Sequence, residues 1–215
     1  IGKTLEQLSL LNQQDYVFSD PDSTRLEKRS ATETDVPQKF VIAGVYELPF
    51  GRGRSIGYDM HPVLNFIAGG WQLNWDVTYQ STWAADYPNA KQVRGGSAHF
   101  DGHNIGQWFD TSLWIDPATN RLVPRQEQFT LRDFPSRFGD VRFPGYQNWD
   151  ASVSKYFPIN EQLRAQFRFE MINAMNHPWL SRFASGGNDV TNANFGRLDL
   201  VQRNLPRFIK LGLTL

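Results

Sequence analysis

The stretch that most constrains this chain is Gly145 to His177, GYQNWDASVSKYFPINEQLRAQFRFEMINAMNH, in which two alternating runs flank a turn too short for anything but antiparallel pairing. In the first run Trp149, Ala151, Val153 and Phe157 share one face, and Asn148, Asp150, Ser152 and Ser154 share the other. Lys155 breaks the pattern by falling on the apolar side. After Pro158-Ile159-Asn160-Glu161, the second run sets Leu163, Ala165, Phe167, Phe169 and Met171 against Arg164, Gln166, Arg168 and Glu170. A face of Arg, Gln and Glu is too charged for a protein core. Opposite a flat aromatic and aliphatic face, it suits a wet lumen, and the pattern is that of a membrane-spanning β-barrel strand.

Composition is compatible with that reading and closes off others. The 215 residues carry no net charge, are 40% hydrophobic and have a mean hydropathy of −0.49. No apolar run approaches the roughly 18 residues of a transmembrane helix, whereas barrel strands need only about 9 to 11, half of them polar. Aromatic residues make up 14%, including seven Trp and sixteen Phe, rich for a soluble domain. With no Cys there is neither a disulfide framework nor a thiolate metal site. Balanced charge argues against a nucleic-acid partner. The chain opens at Ile1 without a signal peptide, which suggests a processed product or a piece of a longer protein.

Taken in order, Ile1 to Val36 is polar and aperiodic and reads as a long loop, with Leu5, Leu8, Leu10 and Leu11 forming a short helical face. Pro37 to Phe50 reads as a strand, Phe40, Ile42, Tyr46, Leu48 and Phe50 alternating with Lys39, Val41, Ala43, Val45 and Glu47. Gly51-Arg52-Gly53-Arg54 lacks the Lys and Ser/Thr of a P-loop and reads as a wide turn, with a one- or two-turn helix in the apolar stretch Val63 to Ala68. Trp71 to Trp83 is the cleanest strand: Trp71, Leu73, Trp75, Val77 and Tyr79 point outward, and Gln72, Asn74, Asp76, Thr78 and Gln80 inward. A tilted strand separates Trp71 from Tyr79 by roughly 19 Å along the membrane normal, which suits two aromatic girdles around an apolar band of about 25 Å. Trp149 and Phe157 repeat the spacing.

Ala84 to Pro144 shows no sustained alternation and reads as a long loop, a length usually tied to function. It holds His99, Asp101 and His103, which as a metal site need a further ligand from elsewhere and otherwise lie on a solvated loop. Trp83, Tyr87, Trp108 and Trp114 beside Asp101, Asp110 and Asp116 are candidates to stack a sugar, although packing of the loop on itself is the preferred reading. Pro178 to Leu205 is a second loop, and Pro206 to Leu215 a final strand with Ile209, Leu211, Leu213 and Leu215 opposite Phe208, Lys210, Gly212 and Thr214.

The fold expected is therefore all-β: strands near 37–50, 71–83, 146–157, 162–175 and 206–215 of an antiparallel transmembrane barrel. Five strands do not close a barrel, and lipid tolerates no unpaired edge, so these are the C-terminal strands of a larger one. The short turn belongs to the periplasmic side, and the loops 84–144 and 178–205 to the outside. The inward carboxylates Asp76, Asp150 and Glu170 face Arg164 and Arg168 as lumen salt bridges. No acid and base stand at a catalytic spacing, so no enzyme activity and no cofactor are expected. A soluble carbohydrate-binding β-sandwich is the rival reading, and a glycosidase using Asp101 and Asp110 a distant third.

Several segments carry a resemblance: Asp35 to Val41 leading into Tyr46 to Gly53, Gly69 to Asn74, Pro144 to Asp150, Glu170 to Pro178, and Asn194-Phe195-Gly196-Arg197. Their order over nearly the whole chain resembles the C-terminal barrel region of the Oar-like TonB-dependent receptors. The resemblance implies an outer-membrane barrel of about 22 strands, with a plug and often a carboxypeptidase regulatory-like domain upstream. It also implies lipid, the TonB complex and the barrel assembly machinery as partners, and transport of a substrate that the family does not specify. Leu215 departs from the aromatic residue on which such barrels usually end.

Overall fold

The computed structural model describes residues 35–127, 129–132, 134–160 and 162–215, and within the first 34 only four short strand segments. Those segments are Leu5–Glu6, paired with Ser30–Ala31, and Leu11–Asn12, paired with Val17–Ser19. Leu5 and Leu11 are thus extended rather than helical, and Leu8 and Leu10 lie outside the described residues. The chain divides into two compact units, one comprising 39–79, 146–178 and 204–215, the other the remainder.

The first unit is a five-stranded sheet of β1 (Lys39–Glu47), β2 (Trp71–Gln80), β3 (Tyr146–Pro158), β4 (Arg164–Ile172) and β5 (Phe208–Thr214). The strands lie in the order β5-β4-β3-β2-β1, so chain neighbours are sheet neighbours throughout. Register keeps the faces apart. Val153 pairs with Phe169 and Phe169 with Leu211, while Ala151 pairs with Met171 and Met171 with Ile209, giving continuous apolar rows. Between them run Ser152, Glu170 and Lys210, then Ser154, Arg168 and Gly212. A one-residue slip would interchange these faces on an entire strand, so the greasy and wet sides together specify the pairing.

Aromatic contacts extend the apolar face over β2. The Tyr79 ring meets Trp149 edge-on at 6.3 Å, and Trp71 meets Phe167 at 6.0 Å, one pair toward each end of the strand. Trp75 lies across Gly44 of β1, where an added Cβ would collide with the indole, so the glycine provides room for the ring. Val77, on the outward register, is only 5% exposed and is therefore covered by its neighbours.

Local chemistry explains the connections. In the turn after β3, of which Glu161 lies outside the described residues, the Asn160 side chain accepts hydrogen bonds from the amides of Gln162 (2.9 Å) and Leu163 (2.7 Å), an Asx turn that reverses the chain. Between β1 and β2 the helix α1 (Pro62–Ala68) starts with Pro in its first turn behind His61. Asn65 in α1 accepts from the Arg52 amide at 2.7 Å, tying the helix to the glycine turn.

The second unit holds the long loop expected at 84–144, folded on itself. Segments 84–144 and 178–205 share one hydrophobic core built on Phe109, Trp114, Phe138, Phe143, Phe183 and Leu198. Ala84–Asp86 pairs with Arg137–Arg142, Ile115–Asp116 pairs with Arg121–Leu122, and Thr111–Trp114 forms a 3-10 turn. Burying one such aromatic side chain contributes about 1.5–3 kcal/mol, enough in aggregate to order a backbone with little regular structure.

Candidate functional site

The wet face of the sheet is the surface whose chemistry is least consistent with a purely structural role. Across four strands it presents Asn74, Ser152, Glu170 and Lys210: Asn74 Nδ2 donates to Ser152 Oγ at 3.3 Å, Ser152 pairs with Glu170, and Glu170 pairs with Lys210. Along β4 the Arg168 Nε donates to Glu170 Oε1 at 2.8 Å. Both are on the same side because they are two residues apart in a strand. These are part-exposed charges of opposite sign on one face of the sheet.

The five residues expected on this face behave differently from one another. Arg168 and Glu170 form the ion pair. Asp150 turns to the backbone instead, accepting the Asn173 amide at 2.8 Å. Asp76 has no arginine partner among the described residues, and Arg164 lies beside the turn, in register with Pro158. The expected network of inward salt bridges is thus reduced to one pair, because Asp150 is spent on closing the β4 exit.

Of the aromatic candidates, Trp114 belongs to the core of the second unit, and Trp83, Tyr87 and Trp108 are partly buried and pack against that core. Trp114 is fully buried and donates its indole N–H to the Ala90 carbonyl at 2.8 Å, which removes it from contact with any ligand. Trp108 donates to the Arg142 carbonyl at 2.8 Å and covers His103 edge-on at 4.5 Å. Tyr87 packs on Trp114, Phe134 and Phe138, and burial pushes its phenol up to about 12, against a lowering hydrogen bond with Gln92. Trp83 stacks edge-on against Trp179 at 5.9 Å. Of the two readings of these rings, the geometry matches packing.

The acids between them shape turns. Asp110 accepts from the Ser112 amide at 3.0 Å as cap of the 3-10 turn. Asp116 accepts from the Ala118 amide and the Thr119 hydroxyl, both at 2.9 Å, and these bonds hold its carboxyl below the usual range. Asp101 is exposed and 4.0 Å from His99 Nε2, and the His99 and His103 rings are 5.5 Å apart. Among the described residues no group of three His, Cys, Asp or Glu side chains gathers to hold a metal ion.

Three clusters escaped the sequence reading. Asp140 collects the Ser97 hydroxyl (2.6 Å) and the Ala98 amide (2.9 Å). Arg142 binds the buried Asp35. Asn173, fully buried, ties together the ends of β4 and β5. Asn173 had a visible signal, since Asn is among the non-glycine residues that most readily take the positive φ of 49° found there. The first two join residues too distant in sequence to be paired by pattern.

An antiparallel sheet with one charged and one greasy face is the kind of wall from which a membrane β-barrel is built. The family model of the outer membrane beta barrel domain matches residues 2–210, and the chain belongs to that family. Membership supports location in the outer membrane of a Gram-negative-type bacterium. Neither a curated protein nor a solved structure matches the chain.

Proposed function

We propose that this chain supplies consecutive wall strands of a TonB-dependent receptor, a larger outer-membrane barrel that passes a substrate through a wet lumen without chemical change. The observation that carries the reading is the open sheet: among the described residues β1 and β5 each have a single strand neighbour. In hydrocarbon every unsatisfied backbone group costs several kcal/mol. Both edges therefore call for further strands of the same barrel, about 22 in plugged transporters. The Oar-like order of motifs supports the receptor assignment within the barrel class. In this reading the Pro158–Glu161 turn is periplasmic and segments 84–144 and 178–205 are extracellular. TonB engages a part of the receptor outside this chain, and the assembly machinery reads the last strand.

Two measurements on the natural protein test this. Deleting residues 206–215 should abolish heat-modifiable gel mobility, and a folded, protease-resistant barrel without them would overturn the claim that β5 is a strand of the wall. The periplasmic domain of TonB should cross-link to the intact receptor in membranes. A folded barrel that never engages TonB would refute the receptor reading while leaving the barrel in place.

A further inference from the structure

The helix α1 is anomalous for a water-facing segment. Val63, Leu64, Phe66 and Ile67 are exposed, 54–62% each, and no residue of the helix is buried. At 100° per residue these four occupy one arc, with Asn65 opposite them and bonded back to the Arg52 amide. Phe50, Ile56 and Tyr58 of the same connector are exposed as well. A contiguous apolar patch of this kind marks a surface with a partner.

The C-terminal end of α1 shows which partner. The last carbonyls of a helix have no intrahelical donors and are ordinarily hydrated. Here Trp71 Nε1 donates to the Ile67 carbonyl at 2.9 Å, and Lys155 Nζ donates to the same oxygen at 3.1 Å and also to the Phe66 carbonyl. Side chains thus take the place of water, the arrangement that hydrocarbon demands. Lys155 is the residue that broke the apolar face of β3. It is buried, with its ammonium 4.9 Å from the Phe157 ring and 5.6 Å from Trp71. A charge on the lipid side of a barrel strand costs about 2–4 kcal/mol near the midplane. Pairing it with the negative end of a helix offsets that cost. The helix needs a donor and the lysine needs acceptors, and each meets the other's requirement.

Position follows from the same contacts. Phe66 packs on Phe157 at 5.1 Å, so α1 lies against the apolar face of the sheet, at the end of β3 where the short turn begins. Its exposed arc continues the outward face of the wall. We propose that α1 is an interfacial foot embedded in the periplasmic leaflet of the outer membrane, its four apolar side chains among phospholipid acyl chains and Lys155 acting as the clasp that keeps its C-terminus dry. The leaflet, though not the lipid contact, rests on the topology proposed above.

The chain contains no cysteine, and with any cysteine of the natural protein outside it replaced by serine, single substitutions report single places. Nitroxide labels on Leu64→Cys and Ile67→Cys, in the natural protein reconstituted into phosphatidylethanolamine–phosphatidylglycerol vesicles, are read by collision with oxygen, which partitions into lipid, and with a water-soluble nickel chelate. Leu211→Cys serves as the wall control and Asp59→Cys as the wet one. Oxygen should dominate at 64 and 67 as it does at 211, and Lys155→Met should shift both labels toward the chelate while 211 holds. If the chelate dominates at 64 and 67 while 211 reports lipid, the foot is refuted and the barrel stands. Shielding from both reagents would mean that protein, not lipid, covers α1, and would equally overturn the proposal. A chelate-dominated Leu211 would instead refute the barrel reading itself.

Discussion

Arg142 closes on Asp35 with Nη2 2.7 Å from Oδ2, while its Nη1 donates to the Thr82 carbonyl at 2.6 Å. Asp35 is wholly buried. Removing one partner of such a pair typically costs about 3–5 kcal/mol, a large part of the roughly 5–15 kcal/mol that holds a domain folded. Arg142→Ala should therefore loosen the second unit, seen as an earlier urea midpoint in tryptophan fluorescence. Asp35→Asn combined with Arg142→Met should recover about half of the loss, since neither retains a charge. If the single and the double substitution are equally damaging, packing and not charge carries the contact.

The lipid face is best probed at Leu211, 71% exposed on β5 in the row of Phe169 and Val153. Val77 is a poor reporter because it is covered and would register packing. Leu211→Arg should cost about 2–4 kcal/mol in bilayers. Thr78→Arg, on the wet register beside Asp76, should change stability by no more than about 0.5 kcal/mol. Equal penalties would show that the two faces have been assigned wrongly.

How much of this was legible depended on the range of the interactions. Val153, Phe169 and Leu211 could be read as one row because a period of two is written locally in each strand. The alternation from Trp71 predicts a strand running to Trp83, yet β2 stops at Gln80, because the Thr82 hydroxyl bonds to the Phe143 carbonyl and Trp83 packs on Trp179. The core of Phe109, Trp114 and Phe183 left no trace in periodicity, since irregular backbone sets no repeat on which apolar residues recur. Lys155 was recognised as an exception, but the carbonyl that resolves it, on Ile67, lies 88 residues away. Of the residues proposed for the wet face, only the Arg168–Glu170 contact is local, and it is the only one of the expected pairs that formed among the described residues.

Tyr87 makes a pH prediction. Its folded value of about 12 lies above the ordinary 10.0 because burial disfavours the phenolate, with Asp140 adding to the rise. The folded state therefore holds this proton longer than the unfolded chain does. The resulting stability is fully present below 10.0 and is lost as pH rises toward about 12. Urea midpoints measured across that window should fall with pH, and Tyr87→Phe should make the fall shallower. An unchanged slope in Tyr87→Phe would assign the alkaline loss to other groups.

Asn173 makes the last prediction, because one buried side chain serves several backbone groups at the point where β4 ends. Its Oδ1 accepts from the His177 amide at 3.0 Å, its Nδ2 donates to the Leu205 carbonyl at 2.9 Å, and its own amide is held by Asp150. The carbonyl of His177 is secured separately by Asn204, so truncation strands two groups: the His177 amide and the Leu205 carbonyl. A fully buried group left without a partner costs about 1–3 kcal/mol, and with His177 half-buried and Leu205 exposed each loss here falls at the low end, about 1 kcal/mol. The positive φ of 49° adds a penalty for alanine of about 1–2 kcal/mol that glycine escapes. Asn173→Ala should thus lose roughly 3–4 kcal/mol and Asn173→Gly about 1–2 kcal/mol less. Because the lost bonds join the β4 exit to the approach of β5, both variants should also expose β5 to protease before the rest of the sheet opens. Equal losses in the two variants would remove backbone strain from the account, and an alanine variant within about 0.5 kcal/mol of the natural protein would refute the role of this side chain as the junction between the last two strands.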